Sequence, residues 1–165
     1  MKKSISVLIR RMKLLMNILS ELYCRIIHMK KSKQLLKLIE NGDDEGLRNM
    51  TQEIADYVEY EMSNTGEEEK VYLTYWIAAH KDIFKGLMML RAFKVACSTK
   101  SQYHWHEIMK VMGYSMMRGA VESQNIKVLE QAMCHVDECD LYEITLDLDD
   151  DNPVVIWYDE NFVSM

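Results

Sequence analysis

Five residues carry whatever metal chemistry this chain offers: His104, His106, Cys134, His135 and Cys139. Thiolates and imidazoles close together are the ligand set of structural zinc. Cys134 and Cys139 form a Cys-x4-Cys pair at the edge of zinc spacing, but His104-x-His106 falls short of the usual His-x3–5-His. Residues two apart on a helix point to nearly opposite sides, so both His would ligate together only in irregular backbone. The spacing therefore predicts no metal site and no cofactor. Cys134 is expected as a small buried hydrophobe, and the His residues as polar groups on helix surfaces.

Carboxylates are the other chemistry on offer, gathered in Asp147, Asp149, Asp150 and Asp151 with Asp159 and Glu160 close behind. General acid–base work needs an environment that separates two carboxyl pKa values, usually by burying one group. A solvated run of acids does not provide that, and Asp147–Asp151 also lacks the central Gly and terminal Glu of a calcium loop. A contact surface is the better use of these side chains. Trp157 and Tyr158 sit directly before Asp159 and Glu160, the layout of an aromatic anchor with an acidic rim. Catalytic motifs are missing elsewhere: there is no Gly-rich phosphate loop, no G-x-S-x-G elbow and no H-E-x-x-H. The expectation is a protein that is not an enzyme.

Charge is distributed very unevenly. Residues 1–34 hold nine Lys/Arg against Glu21 alone, so this segment is +8 within a chain of −6. From Ala132 to Met165 there are ten acids and no Lys or Arg. Such a field steers basic partners and repels nucleic acid, whose affinity rests on phosphate neutralisation. A basic protein is the expected partner, with no direct nucleic-acid contact.

The chain has 165 residues, one domain's worth, and can bury a core without staples. Four Cys without framework spacing suit a reducing cytoplasm. Arg10, Arg11 and Lys13 cut the apolar run Ile5–Ile9 too short for an export signal, although an Arg-rich, acid-poor start also resembles an organellar transit peptide. Met29-Lys30-Lys31-Ser32 repeats the opening Met1-Lys2-Lys3-Ser4, so residues 1–28 are read as an optional extension and 29–165 as the acidic domain.

Residues Ile5, Leu8, Met12, Leu15, Leu19, Leu22 and Ile26 alternate steps of three and four, widened by Ile9, Met16 and Tyr23. This predicts a core-facing or partner-facing helix, or a basic amphipathic helix on an anionic membrane surface. Three heptads are too few to require a coiled coil. Ser32 is expected to cap a short helix that ends at Asn41-Gly42. A helix follows from Asp43-Asp44-Glu45 along Leu47, Met50, Ile54, Tyr57, Val58 and Met62, and Thr65 with Glu68 suggests a capping box. The next stretch, Tyr72 to Val95, is expected to break near His80–Gly86, and Ser98–Ser101 to form a loop. Further helices carry Trp105 to Ala120 and Asn125 to Met133.

Residues 39–47 and 121–129 share a helix, polar turn, helix pattern. The turn wording resembles the hairpins of ankyrin-type and tetratricopeptide-type repeats, but the offset does not fit their units of about 33–34 residues. Shared hairpin physics is the reading adopted.

At the end of the chain the period changes to two: Tyr142, Ile144, Leu146 and Leu148 alternate with polar residues. With Asp149–Pro153 as a turn and Val154–Tyr158 as a second strand, this predicts a two-stranded β-hairpin at about 141–158. The expected fold is mostly α, six or seven helices in antiparallel hairpins closed by that β-hairpin. The expected function is stoichiometric binding of a basic or nucleic-acid-handling protein, as an immunity protein or a phage anti-defence inhibitor does, acting by occlusion. The contact residues would be Asp147, Asp149, Asp150, Asp151, Trp157, Tyr158, Asp159 and Glu160. The alternative is a helical adaptor, membrane-associated through residues 1–28.

Overall fold

The computed structural model describes residues 2–66 and 70–164, with side chains from residue 5 onward. The described residues form nine α-helices and no strand: α1 Lys2–Glu40, α2 Asp44–Arg48, α3 Thr51–Ser63, α4 Leu73–Ala78, α5 Ile83–Lys100, α6 Trp105–Glu122, α7 Ile126–Met133, α8 Glu138–Thr145 and α9 Pro153–Tyr158. A π-helical turn, Asp159–Val163, follows α9.

Six of the helices pair into three packed hairpins, α1–α2, α4–α5 and α6–α7, and α8–α9 makes a looser fourth, joined by the rings of Tyr142 and Tyr158. Their first members line up in one row, where α4 packs on α1 and on α6, and α6 on α8. The second members form the other row, α2 on α5, α5 on α7 and α7 on α9, while α3 packs against α1 and α5. Stacked helical hairpins in two rows are the plan of an α-solenoid. Each second helix begins with an Asp or Asn whose side chain accepts a backbone N–H: Asp43 from Gly46, Asp82 from Lys85, Asn125 from Val128 and Asn152 from Val154. Each such cap contributes about 1 kcal/mol.

The two echoing segments adopt the same turn. Gly42 (φ 65°) and Gln124 (φ 55°) are both left-handed. In each case two amides close the preceding helix: Gly42 N donates to Ile39 O and Asp43 N to Leu38 O, as Gln124 N does to Val121 O and Asn125 N to Ala120 O. This is the Schellman pattern, which satisfies carbonyls at a helix end.

The core runs between the rows. Phe93 is fully buried and meets Tyr57 and Trp105 edge-on, with ring centroids 6.4 and 6.5 Å apart. Met89, Met109, Met112, Met116 and Met117 are fully buried in the same core. Polar ties fix α4 in the stack: Tyr72 N donates to Ser115 Oγ (3.0 Å), Leu73 N to Tyr57 OH (3.0 Å), and Thr74 Oγ1 to Met112 O (3.1 Å).

Several sequence expectations are corrected. The β-hairpin at 141–158 is absent, and its residues form α8, the loop after it and α9. Leu141 and Thr145 are the buried residues of α8, whereas Tyr142 and Leu146, assigned to the apolar face of a strand, are exposed. Spacing of four overrides spacing of two because Asp137 caps α8 through the Cys139 amide. Asn152-Pro153 is a helix start rather than a turn, Asn152 capping and Pro153 in the first turn, where its missing N–H costs nothing. Ser32 caps nothing: α1 continues through it, and its Oγ donates to His28 O at 2.8 Å. The single helix expected from Asp43 to Met62 is divided at Asn49-Met50 into α2 and α3, and helix α5 extends through Lys100 before its C-cap at Ser101. The break expected near His80–Gly86 lies at Ala79–Asp82. The Thr65–Glu68 capping box lies outside the described residues.

Candidate functional site

The acidic residues gather at the last hairpin of the stack. Asp147, Asp149, Asp150 and Asp151 are exposed on the loop between α8 and α9, and Asp159 and Glu160 are exposed where α9 passes into the π turn. Helix α9 has six residues, about 9 Å at 1.5 Å per residue, so it separates two acidic clusters by a short span. Among the described residues none of these six carboxylates enters an ion pair; the five pairs present all involve residues between His28 and Lys85.

The two aromatic residues divide. Tyr158 is buried, stacks on Phe162 with ring centroids 5.3 Å apart, and donates from its hydroxyl to Glu138 Oε1 at 3.3 Å. Its ring is used inside the fold, tying α9 to α8. Trp157 is half-buried, packs against the core and leans edge-on against Phe162 at 5.7 Å, leaving part of its ring exposed.

A second constellation was not found from sequence. An open groove of about 1070 Å³ lies between α1, α3 and α4, lined in part by His28, Tyr60, Glu61, Lys70 and Trp76. At its floor Glu61 is 2% exposed. Its Oε1 lies 2.7 Å from His28 Nε2, its Oε2 pairs with the Lys70 ammonium, and the His28 ring stacks on Tyr60 at 3.8 Å. Burial pushes the Glu61 pKa up, but the His28 hydrogen bond and Lys70 outweigh it, leaving the carboxyl below its ordinary value. The signal in the sequence was its place on the apolar stripe of α3, four residues after Tyr57 and three after Val58. An acid there must find partners when buried.

The arrangement links α1 to α3, so its physical effect is on stability. A carboxyl held below its ordinary value stabilises the fold above that value, and the contribution is lost as pH falls through the lowered one. Glu61→Gln is expected to reduce unfolding free energy by on the order of 1–3 kcal/mol at neutral pH. The gap to wild type should close as pH falls below 4.5, the ordinary value. Urea melts across pH check this, and a gap that widens in acid would contradict it.

Of the five metal candidates, two come together. His106 Nδ1 and His135 Nδ1 lie 2.8 Å apart, a distance at which one ring donates and the other accepts. Burial, then His106 and Lys94, lower the His135 pKa. His104 serves as the N-cap position of α6, Cys134 Sγ points to Glu130 O at 3.4 Å, and Cys134 and Cys139 are exposed thiols. The expectation of a buried Cys134 is thus corrected: it ends α7 on the surface. No group of three or more His, Cys, Asp or Glu with metal-holding geometry occurs among the described residues.

Comparison with known proteins adds one finding. No curated protein and no solved structure matches the chain. Residues 34–159 match a family of unknown function, DUF5903, a span that begins inside α1 and runs to the end of α9. It takes in all four hairpin turns and most of the acidic end. The chain therefore belongs to the family of unknown function DUF5903.

Proposed function

We propose that this chain acts by stoichiometric binding of a basic protein, through the acidic hairpin α8–α9, and not by catalysis. The observation that carries the reading is the row of exposed, unpaired carboxylates at Asp147, Asp149, Asp150, Asp151, Asp159 and Glu160 in a segment with no Lys or Arg. Six acids within so short a span raise local repulsion, which a cationic partner relieves. Trp157, half-buried and between the two acidic groups in sequence, supplies the apolar contact that lengthens residence. Inhibition by occlusion follows, because a partner that uses Lys and Arg to hold nucleic acid would have them covered by carboxylates. The four free thiols suit a cytoplasmic setting.

The test is paired affinity capture with quantitative mass spectrometry. Wild-type bait is compared with bait carrying Asp149→Asn, Asp150→Asn and Asp151→Asn, changes that keep turn-forming side chains. The expected result is one or a few strongly basic proteins enriched on wild type and depleted about tenfold or more on the variant. Equal capture by both baits would place the contact surface elsewhere on the stack.

A further inference from the structure

Helix α1 runs well beyond the stack it starts. Its packed residues begin at Ile27 and His28, and every residue from Ile5 to Ile26 is exposed. At 1.5 Å per residue, residues 2–27 extend roughly 39 Å from the body, about five Debye lengths at physiological salt. Fourteen large apolar side chains stand in water along this helix, among them Leu15 (59% exposed) and Leu19 (63%). An apolar surface of this extent marks an interaction site.

The two faces of α1 have different fates. Leu35 and Ile39, which are buried in the body, and His28, which pairs with Glu61, share one side of the helix with Arg10, Asn17 and Glu21. The stripe Ile5, Leu8, Met12, Leu15, Leu19, Leu22 and Ile26 lies on the other side, widened by Ile9, Met16 and Tyr23 to an arc of roughly 140° at 100° per residue. The body is therefore docked behind the stripe, with Leu22 at the stripe's edge also lining the groove toward Trp76, and the rest of the stripe stands open to a flat surface. Where the body begins, the same side of the helix continues as Lys30, Lys33 and Lys37, all exposed.

From this geometry we infer that α1 is a membrane-surface anchor: its stripe enters an anionic bilayer, and Lys30, Lys33 and Lys37 sit on the headgroups. The charge pattern selects this occupant. A second copy laid against the stripe in either direction would bring one segment of +8 against another, with Glu21 the one acid in residues 1–34 of each. Nucleic acid would engage the cations and leave the stripe wet. An anionic bilayer uses both, burying apolar side chains at the acyl boundary while cations meet the headgroups. No helix among the described residues is long and apolar enough to cross a membrane, so the anchor lies on the surface. This inference is independent of the acidic hairpin, which stands on the opposite end of the stack's chain.

Co-sedimentation of the full chain with vesicles tests it, using phosphatidylcholine alone or with about 30% phosphatidylserine. The expected result is binding to the anionic vesicles, weak binding to neutral ones, and release as salt approaches about 1 M, where the Debye length is roughly 3 Å. Two variants on exposed positions leave the core untouched: Leu15→Asp with Leu19→Asp, and Lys30→Glu with Lys33→Glu and Lys37→Glu. Each should lower the bound fraction about tenfold or more with unchanged circular dichroism. No binding of wild type to anionic vesicles at low salt overturns the inference. So does retained vesicle binding in the Leu15→Asp, Leu19→Asp variant, including the case where sedimentation shows that these changes dissolve a self-associated form.

Discussion

Phe93→Ala will lower the unfolding free energy by about 3–5 kcal/mol, the usual range for truncating a fully buried Phe. Phe93 has no exposed surface and stands where α3, α5 and α6 meet, edge-on to Tyr57 and Trp105. Both neighbours are held from elsewhere, Tyr57 by the Leu73 amide and Trp105 by the start of α6, so collapse into the space left behind is restricted. Domains of this size hold about 5–15 kcal/mol in total, so the variant should sit at or near the edge of folding. Phe84→Ala is the internal comparison: Phe84 is 67% exposed, and its loss should change stability by no more than about 0.5 kcal/mol. Urea melts followed by circular dichroism measure both. A Phe93→Ala loss of under about 1 kcal/mol would mean that the rows do not meet there.

Gly119→Ala should destabilise by about 1–3 kcal/mol or more, against the ordinary helix preference. In an open helix the change would gain about 1 kcal/mol, because Ala is the better helix former. Here a Cβ would run into the Tyr75 carbonyl oxygen and stand 3.0 Å from the Ala79 nitrogen and 3.1 Å from the Ala78 Cβ. Two of these are backbone atoms of α4 and its C-cap, unable to rotate away, so α4 and α6 would have to separate. Their separation would also strain Ser123, whose hydroxyl donates to Ala78 O at 2.6 Å. Gly66→Ala provides the contrast, since among the described residues nothing lies within 4 Å of its Cβ position. A Gly119→Ala protein as stable as wild type would contradict the close crossing of the first row.

Much of the helical order was legible because its signals are local. Asn41-Gly42 ends α1, Ser63-Asn64 ends α3, and Asn125 starts α7 as their residue types require. The echo between residues 39–47 and 121–129 expressed a shared Schellman turn and N-cap, so the repeated wording had a backbone cause. The C-terminal hairpin was misread because alternation over Tyr142–Leu148 and β-branched residues in Val154–Ile156 favour strands, while the helix rests on caps and on burial of Leu141 and Val154 against the stack. Tertiary packing won over local pattern. Glu61 and His28 were invisible as a pair, being 33 residues apart and on different helices. The stripe of α1 was plain in sequence, but only the packing of Leu35 and Ile39 reveals that it faces away from the body.

The most direct measurement of the central claim is the association rate of the chain with its isolated basic partner as a function of salt. Wild type should associate fast at low ionic strength and slow steeply as salt rises, since exposed carboxylates steer at long range. With Asp149→Asn, Asp150→Asn and Asp151→Asn together, the low-salt rate should fall by about tenfold and its salt dependence should flatten. Trp157→Ala should leave that rate nearly unchanged and speed dissociation. Identical rates and salt slopes for wild type and the triple variant would contradict the claim that the acidic hairpin is the contact surface.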